Sequence, residues 1–213
     1  IIFIFIIYII NLNLIYMYSM YYIYVITIFV IVVSLILFVQ SLNNELTQVV
    51  SRLDNRTYLV RNDDRKQESA DYMAKIHKNI NVLYESCITN YPTDIRIKRL
   101  IRNYNPNNIS ESMKSSVYTS YSVNKGQKLV ICIKEKDIEE TLIDLNTIMF
   151  VVIHELAHII TKSIGHTDEF WENMKFLLKI SIKLGIYQEV DYKNKPEKYC
   201  GITITDTPLK DTK

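Results

Sequence analysis

Read for its apolar and polar positions alone, the chain changes character near residue 42. Before that point apolar and aromatic residues run almost without interruption, and no charged side chain occurs ahead of Glu45. The run Tyr21–Val39 is uncharged and long enough to cross ~30 Å of hydrocarbon as a helix. Tyr21, Tyr22 and Tyr24 fall at one end of it, where amphipathic rings favour a membrane interface. The run is too long for the apolar core of a cleaved leader, and no small-x-small cleavage pattern follows it. It therefore predicts one transmembrane anchor over 21–39. Residues 1–20 read as a doubtful N-terminal extension, because 1–16 are nearly all Ile, Tyr, Asn, Leu and Phe, and Met17 or Met20 is the expected initiator.

Beyond the anchor the pattern becomes amphipathic. Leu46, Val49, Val50 and Leu53 recur at helical spacing, so 42–62 is expected to be a stalk or first helix, and 63–213 the folded domain. Tyr72, Met73, Ile76, Ile80 and Leu83 then mark one face of a clear helix, with Lys75, Lys78 and Asn79 opposite. His77 lies off that stripe and reads as a surface residue. After Pro92, the run 95–104 carries Arg96, Lys98, Arg99 and Arg102 and reads as a solvated helix face. Residues 117–133 are rich in β-branched and aromatic side chains and broken at Asn124-Lys125-Gly126, which predicts a β-hairpin. Its strand either offers an edge to an extended substrate or only covers the core. A second amphipathic helix over 168–184 would turn Phe170, Trp171, Met174, Leu177, Leu178 and Ile182 inward and close at Gly185. The tail 187–209, with Pro196, Gly201 and Pro208, looks irregular.

Between hairpin and last helix lies HELAHIITKSIGH, residues 154–166. His154 and His158 are four apart, hence on one face of a helix, and that spacing lets both imidazoles bind one Zn²⁺. Glu155 is then the general base that takes a proton from zinc-bound water. Gly165 is expected to end the helix and turn His166 back as third ligand, leaving a fourth position for water, the pattern of a catalytic zinc site. Asp168, Glu169 and Glu172 are the other candidates for the third ligand. The flanks are apolar nearly all round, which marks a buried helix, and buried His and Glu need partners such as a metal ion. Asp144 or Asn146 would cap the start of this helix. Tyr192 or Tyr199 would donate to a reaction oxyanion or, the better reading among so many tyrosines, pack in the core.

Charge adds little: 25 basic and 23 acidic residues give +2, with no electrostatic case for nucleic acid. Cys87, Cys132 and Cys200 show no metal-ligand spacing and read as buried free thiols of a reducing compartment, Cys200 as a small hydrophobe and not a zinc ligand. Arg52 and Arg56 follow the apolar run, and no Lys or Arg precedes it. The positive-inside rule then places the catalytic domain in the cytosol, behind a single-pass anchor in a cellular or virion membrane. The sequons Asn55-Arg56-Thr57 and Asn108-Ile109-Ser110 would suit a lumenal domain instead.

HELAH followed by GHTDEFW, within 148–178, resembles the zincin-type metallopeptidases of the WLM and SprT-like (Spartan-like) groups, in which a Gly-His-x-x-x-Phe turn follows the His-Glu-x-x-His helix. Over a longer range, YLVRNDDRKQESAD, SYSVNKG and PEKYCGITITDTPL resemble an uncharacterised zincin-like family of large DNA viruses. The resemblance implies an α+β zincin-like domain with His154, His158 and His166 as zinc ligands and Glu155 as base. His158 and His166 are eight apart, against six in the WLM pattern. The reading is a membrane-anchored zinc peptidase acting on a protein or peptide substrate. The alternative is a non-catalytic zinc-binding membrane or virion structural protein, against which Glu155 argues, since a purely structural site has no use for a base. Hydrolysis of a non-peptide amide is a weaker third. The anchor and the absence of a basic tail disfavour crosslink repair.

Overall fold

A computed structural model describes residues 2–42 and 44–210, with side chains over 16–39 and 44–210. Two compact units divide the chain near Asn44. The first is one helix, α1 (Ile2–Leu42), whose stretch Tyr16–Val39 has a mean hydropathy of 2.9 and is long and apolar enough to cross a membrane. This helix runs through the expected anchor and through most of the stretch 1–20 read as an extension. Ile1 lies outside the described residues.

The second unit is α+β. It begins with a correction, because within the segment expected as a stalk or first helix residues 46–61 are β structure. β1 (Leu46–Val50) and β2 (Thr57–Arg61) form an antiparallel hairpin. The apolar spacing there mimicked a helix, but Thr47, Val49, Val50, Thr57 and Val60 are β-branched and suit a pleated surface. The turn is closed by Ser51 N–H donating to the Arg56 carbonyl at 2.8 Å, and Asn55 sits at φ 57°.

α2 (Lys66–Asn90) buries Met73, Ile76, Ile80, Leu83 and Cys87, a 3-4-3-4 progression that makes one continuous stripe. His77 corrects the expectation of a surface residue. It is buried on α2, with Nδ1 3.0 Å from the Tyr58 hydroxyl and Nε2 3.2 Å from the Asn81 amide. α3 (Ile95–Asn103) is capped by Asp94, whose carboxylate accepts from Arg96 N–H at 2.8 Å.

β3 (Ile109–Glu111), β4 (Tyr121–Val123) and β5 (Lys128–Ile131) complete a five-stranded sheet in the order β1-β2-β3-β5-β4. β2-β3 and β3-β5 pair parallel; β4 pairs antiparallel with β5 and forms one edge. The β4–β5 hairpin is the one expected. Its turn depends on Gly126, at φ 116°, where a Cβ would stand 2.9 Å from the Asn103 carbonyl oxygen and 3.1 Å from Ile159. Gly126→Ala should therefore destabilise the domain by about 2 kcal/mol or more, read as a lower denaturant midpoint, because strain and backbone clash add.

The charges at the ends of β2 and β3 are buried and paired, as they must be. The Arg61 guanidinium pairs with Glu111 at 3.4 Å and Glu140 at 3.3 Å, the Arg61 backbone N–H donates to Glu111 Oε2 at 2.7 Å, and Lys134 Nζ reaches both Glu111 and Asp63.

α4 (Leu145–Ile160) and α5 (Asp168–Lys183) pack together against the sheet core. Asp144, not Asn146, caps α4, accepting from Thr147 N–H at 3.1 Å; Asn146 bridges to Gln188 instead. Thr167 caps α5, and Asp168 and Glu169 lie in its first turn. Phe170, Met174, Leu177 and Leu178 are buried as expected, but Trp171 and Ile182 are exposed.

The tail 187–209 is irregular as expected except at its centre, where β6 (Glu197–Tyr199) and β7 (Ile202–Ile204) form a hairpin. Cys200 and Gly201 supply its turn at φ 52° and 85°, and both N–H groups donate to the Glu135 carboxylate. A disulfide joins Cys132 to Cys200, so the expectation of three free thiols holds only for buried Cys87. The two cysteines lie 68 residues apart, and their pairing could not be read from spacing.

Candidate metal centre

α4 is apolar on nearly every side because it is packed on nearly every side. Its buried residues include Ile148, Met149, Val152, Ile153, Leu156, Ile159 and Ile160. One strip stays open to the surface, and His154 and His158 lie on it, both half-buried. Their Nε2 atoms stand 3.2 Å apart. His166, exposed on the loop before α5, brings its own Nε2 to 3.0 Å from His154 and 3.2 Å from His158.

Three imidazole nitrogens in a triangle that tight cannot all satisfy one another, since each pair needs a donor facing an acceptor. They do match the demand of one small cation. Two nitrogens bound at 2.0–2.1 Å in a tetrahedral shell stand about 3.3 Å apart. Burial first, and then the neighbouring imidazoles, hold His154 down at about 3; burial, His166 and Lys125 hold His158 at about 4. Both are thus neutral at physiological pH, the form that offers a lone pair to a metal.

The loop that delivers His166 is not shaped by Gly165 ending the helix. α4 stops five residues earlier, at Ile160, where Thr161 turns extended. Its hydroxyl donates to the Ala157 carbonyl at 2.6 Å and accepts from Asn173 of α5 at 2.8 Å. Gly165 then takes φ 84° within the following turn.

Charged side chains fix the rest of this loop. Arg99 donates to the Ile160 carbonyl at 3.0 Å, and Lys125 to the Lys162 carbonyl at 3.1 Å, cations at a helix C-terminus where the dipole favours them. The Glu169 carboxylate accepts from the N–H groups of Lys162 and Ser163, from the Ser163 hydroxyl and from Arg99, at 2.9–3.2 Å. Those backbone donors hold its carboxyl down at about 2. Glu169, one of the alternative ligands by sequence, is therefore a loop clamp. Arg99 belongs to the basic run read as a solvated face, and only its tertiary partners distinguish it from Lys98.

Phe170 forms the floor. Its ring lies 4.2 Å from that of His158, stacked, and 4.8 Å from those of His154 and His166. Trp171 stands beside His166 at 5.5 Å, exposed at the rim. The Gly-His-x-x-x-Phe turn thus has a packing reason: its Phe supports every imidazole of the triangle.

Glu155 is buried on α4, and burial pushes its carboxyl up to about 8 against a hydrogen bond from the Ser122 backbone N–H of β4. Ser120, just before β4, bonds the Tyr199 hydroxyl at 2.6 Å and accepts from Cys132 N–H at 2.9 Å. Tyr199 and Tyr192 are both fully buried, Tyr192 with its ring 4.7 Å from Phe150, so both pack in the core. Cys200 is committed to its disulfide. Among the described residues the group that could hold a metal ion is His154, His158 and His166, and neither Asp168 nor Glu172 joins it.

Residues 105–207 match the WLM domain model. A protein of Acanthamoeba polyphaga mimivirus, "Uncharacterized protein R325", is 33% identical over 183 residues, covering 84% of this chain and 92% of its own. This chain belongs to a viral family of WLM-domain proteins. A second relative, "Uncharacterized protein 136R" of Invertebrate iridescent virus 6, is 37% identical over 38% of this chain and 44% of its own. Among solved structures, Wss1 from Saccharomyces cerevisiae is similar at 16% identity and a TM-score of 0.45, over 59% of this chain and 87% of that one. The WLM match runs from just after α3 to beyond β7. It takes in the three imidazoles, Glu155, Phe170 and both disulfide cysteines, and leaves β1, β2, α2 and α3 outside. The WLM family is of the zinc-dependent metallopeptidase type.

The clamp carries a prediction. Glu169→Ala should weaken zinc binding ~10–100-fold, the range for outer-shell partners, because four donors lose their acceptor and His166 loses its fixed loop. Competition against a chromophoric chelator reads this directly. The folded carboxyl lies below its ordinary value, so the clamp is fully present above about pH 4.5 and is lost as pH falls through about 2.

Proposed function

We propose that this protein is a membrane-anchored, zinc-dependent peptidase, with His154, His158 and His166 holding the metal and Glu155 as general base. The observation that carries the reading is the triangle of three Nε2 atoms, 3.0–3.2 Å apart, on the same short stretch of chain as a buried carboxylate. Membership of the WLM family supports it.

Zinc held there would supply a Lewis acid that polarises the scissile carbonyl and acidifies water. A cation held at the triangle would favour the ionised form of Glu155, whose carboxyl burial otherwise raises to about 8; as carboxylate it takes the proton of the attacking water and returns it to the leaving amine nitrogen. The Ser122 N–H bond fixes the carboxylate against β4, so the base is oriented before substrate arrives. β4 is an edge strand of the sheet, the kind of element beside which an extended peptide docks, which favours a protein or peptide substrate. Water is kept from one side of the triangle by Phe170, and the open side by Trp171 is the way in.

The test is zinc content of the detergent-purified full chain together with a proteome-wide cleavage screen, wild type against Glu155→Gln. Stoichiometric zinc with cleavages confined to wild type is expected. Zinc without any cleavage difference would make the centre structural.

α1 is the anchor in this reading. Full-length protein should stay with membranes through an alkaline carbonate wash, while a chain beginning at Leu42 should stay soluble. Complete extraction of the full-length protein would exclude a spanning helix.

A further inference from the structure

We propose that the globular unit folds on the oxidising, exoplasmic side of the membrane and carries an N-linked oligosaccharide on Asn55. This stands apart from the peptidase reading and does not need the metal.

The first observation is the disulfide between Cys132 and Cys200, both buried. Such bonds form and persist in secretory compartments and are rare in the cytosol. The pair closes by thiol–disulfide exchange with an oxidised dithiol oxidoreductase. Two thiols give up two protons and two electrons, and the carrier's disulfide becomes a dithiol. Cys87 stays a buried thiol on α2.

The second observation is independent of the first. Asn55-Arg56-Thr57 is an N-glycosylation acceptor sequence, and it falls on the β1–β2 turn. Asn55 is exposed at φ 57°, and Thr57 is exposed beside it. Only the backbone N–H of Asn55 is engaged among the described hydrogen bonds, by the Ser51 carbonyl at 3.1 Å. A branched sugar at this tip displaces nothing in the fold. The other sequon is placed differently. Ser110 is buried in β3 between β2 and β5, and the Asn108 amide donates to the Gln127 carbonyl at 2.9 Å. In the modification, Asn55 Nδ2 bonds the anomeric carbon of an oligosaccharide carried on a lipid diphosphate. The carbon–oxygen bond to phosphate breaks, the diphosphate leaves with the electron pair, and the amide gives one proton to the transferase.

The rest of the chain agrees. An uncharged apolar helix ahead of a folded unit is what a translocated chain presents, as leader or as anchor. The two arginines that favour a cytosolic domain are parts of the fold. Arg52 pairs with Asp71 at 2.8 Å and Arg56 donates to Asn107 at 3.1 Å, and large domains cross membranes largely regardless of charge.

The experiment expresses the full chain in cells with an oxidising secretory pathway and N-glycosylation. Wild type and Thr57→Ser should show one endoglycosidase-sensitive mobility step, absent from Asn55→Asp and Thr57→Ala. Asp also tolerates the left-handed turn, so Asn55→Asp removes the acceptor without straining the hairpin. After unfolding, a polymer-linked maleimide should add to one thiol without reductant and to three after reduction. No step in wild type, or a step retained in Asn55→Asp, overturns the assignment to Asn55. Three thiols modified without reductant overturn the placement.

Discussion

Glu155→Gln should abolish peptide hydrolysis, by at least ~10²-fold in kcat, while zinc content and thermal stability stay at wild-type level. The factor is that expected for removing a positioned general base. The amide has nearly the volume of the carboxylate and still accepts the Ser122 N–H at its carbonyl oxygen, so β4 and α4 remain joined. What it lacks is basicity. Glu155 is not part of the cluster of three imidazoles that could hold a metal ion, so the metal should be indifferent to the change. The informative readout is a split: turnover lost with KM and zinc unchanged. Hydrolysis at the wild-type rate by the mutant would mean that another group takes the proton, and the mechanism proposed here would be wrong. Loss of zinc along with activity would move Glu155 from base to ligand.

The second large effect concerns the third ligand. His166→Ala should lower zinc affinity more than the Glu169 substitution does, since it removes a coordinating nitrogen and not its support. Asp168→Ala and Glu172→Ala should leave zinc binding near wild type. Asp168 lies in the first turn of α5, where a negative charge favours the helix dipole, and Glu172 is exposed one turn on. Zinc titration of the four proteins at neutral pH decides the matter. Should His166→Ala bind zinc normally and Glu172→Ala fail, the centre is of the two-histidine, one-glutamate kind, with His154 and His158 as its imidazoles and His166 packing beside them without coordination. His77, the fourth histidine, gives an internal control. Buried against Tyr58, its replacement should cost stability and leave zinc affinity unchanged.

Much of this was written locally along the chain. The uncharged run over 21–39 could only be a long apolar helix, because nothing in it offers a polar face. The i, i+4 pair of His154 and His158 needs only helical geometry to share a face, and that geometry is set by hydrogen bonds within the same segment. α2 and the β4–β5 hairpin were legible for the same reason, as period 3.6 and a Gly-containing turn are short-range properties. The misread hairpin β1–β2 shows where this fails. Leu46, Val49, Val50 and Leu53 fit a helix, and only pairing with a strand eleven residues on, together with the Ser51–Asp71 bond to α2, settles the segment as β.

Tertiary structure alone decided the remainder. The end of α4 is set by Asn173 from the next helix and Arg99 from α3, and no sequence pattern near Gly165 carries that information. His77 is buried because Tyr58 of β2 lies over it. Lys134 is buried because Asp63 and Glu111 meet it. Cys132 and Cys200 are paired because the β6–β7 turn returns to the end of β5, a closure between residues 68 apart. Local hydrogen-bond periodicity and apolar spacing act over a few residues and are printed in the sequence. Burial, capping between elements and covalent pairing depend on which distant segments meet, and the folded chain alone specifies that.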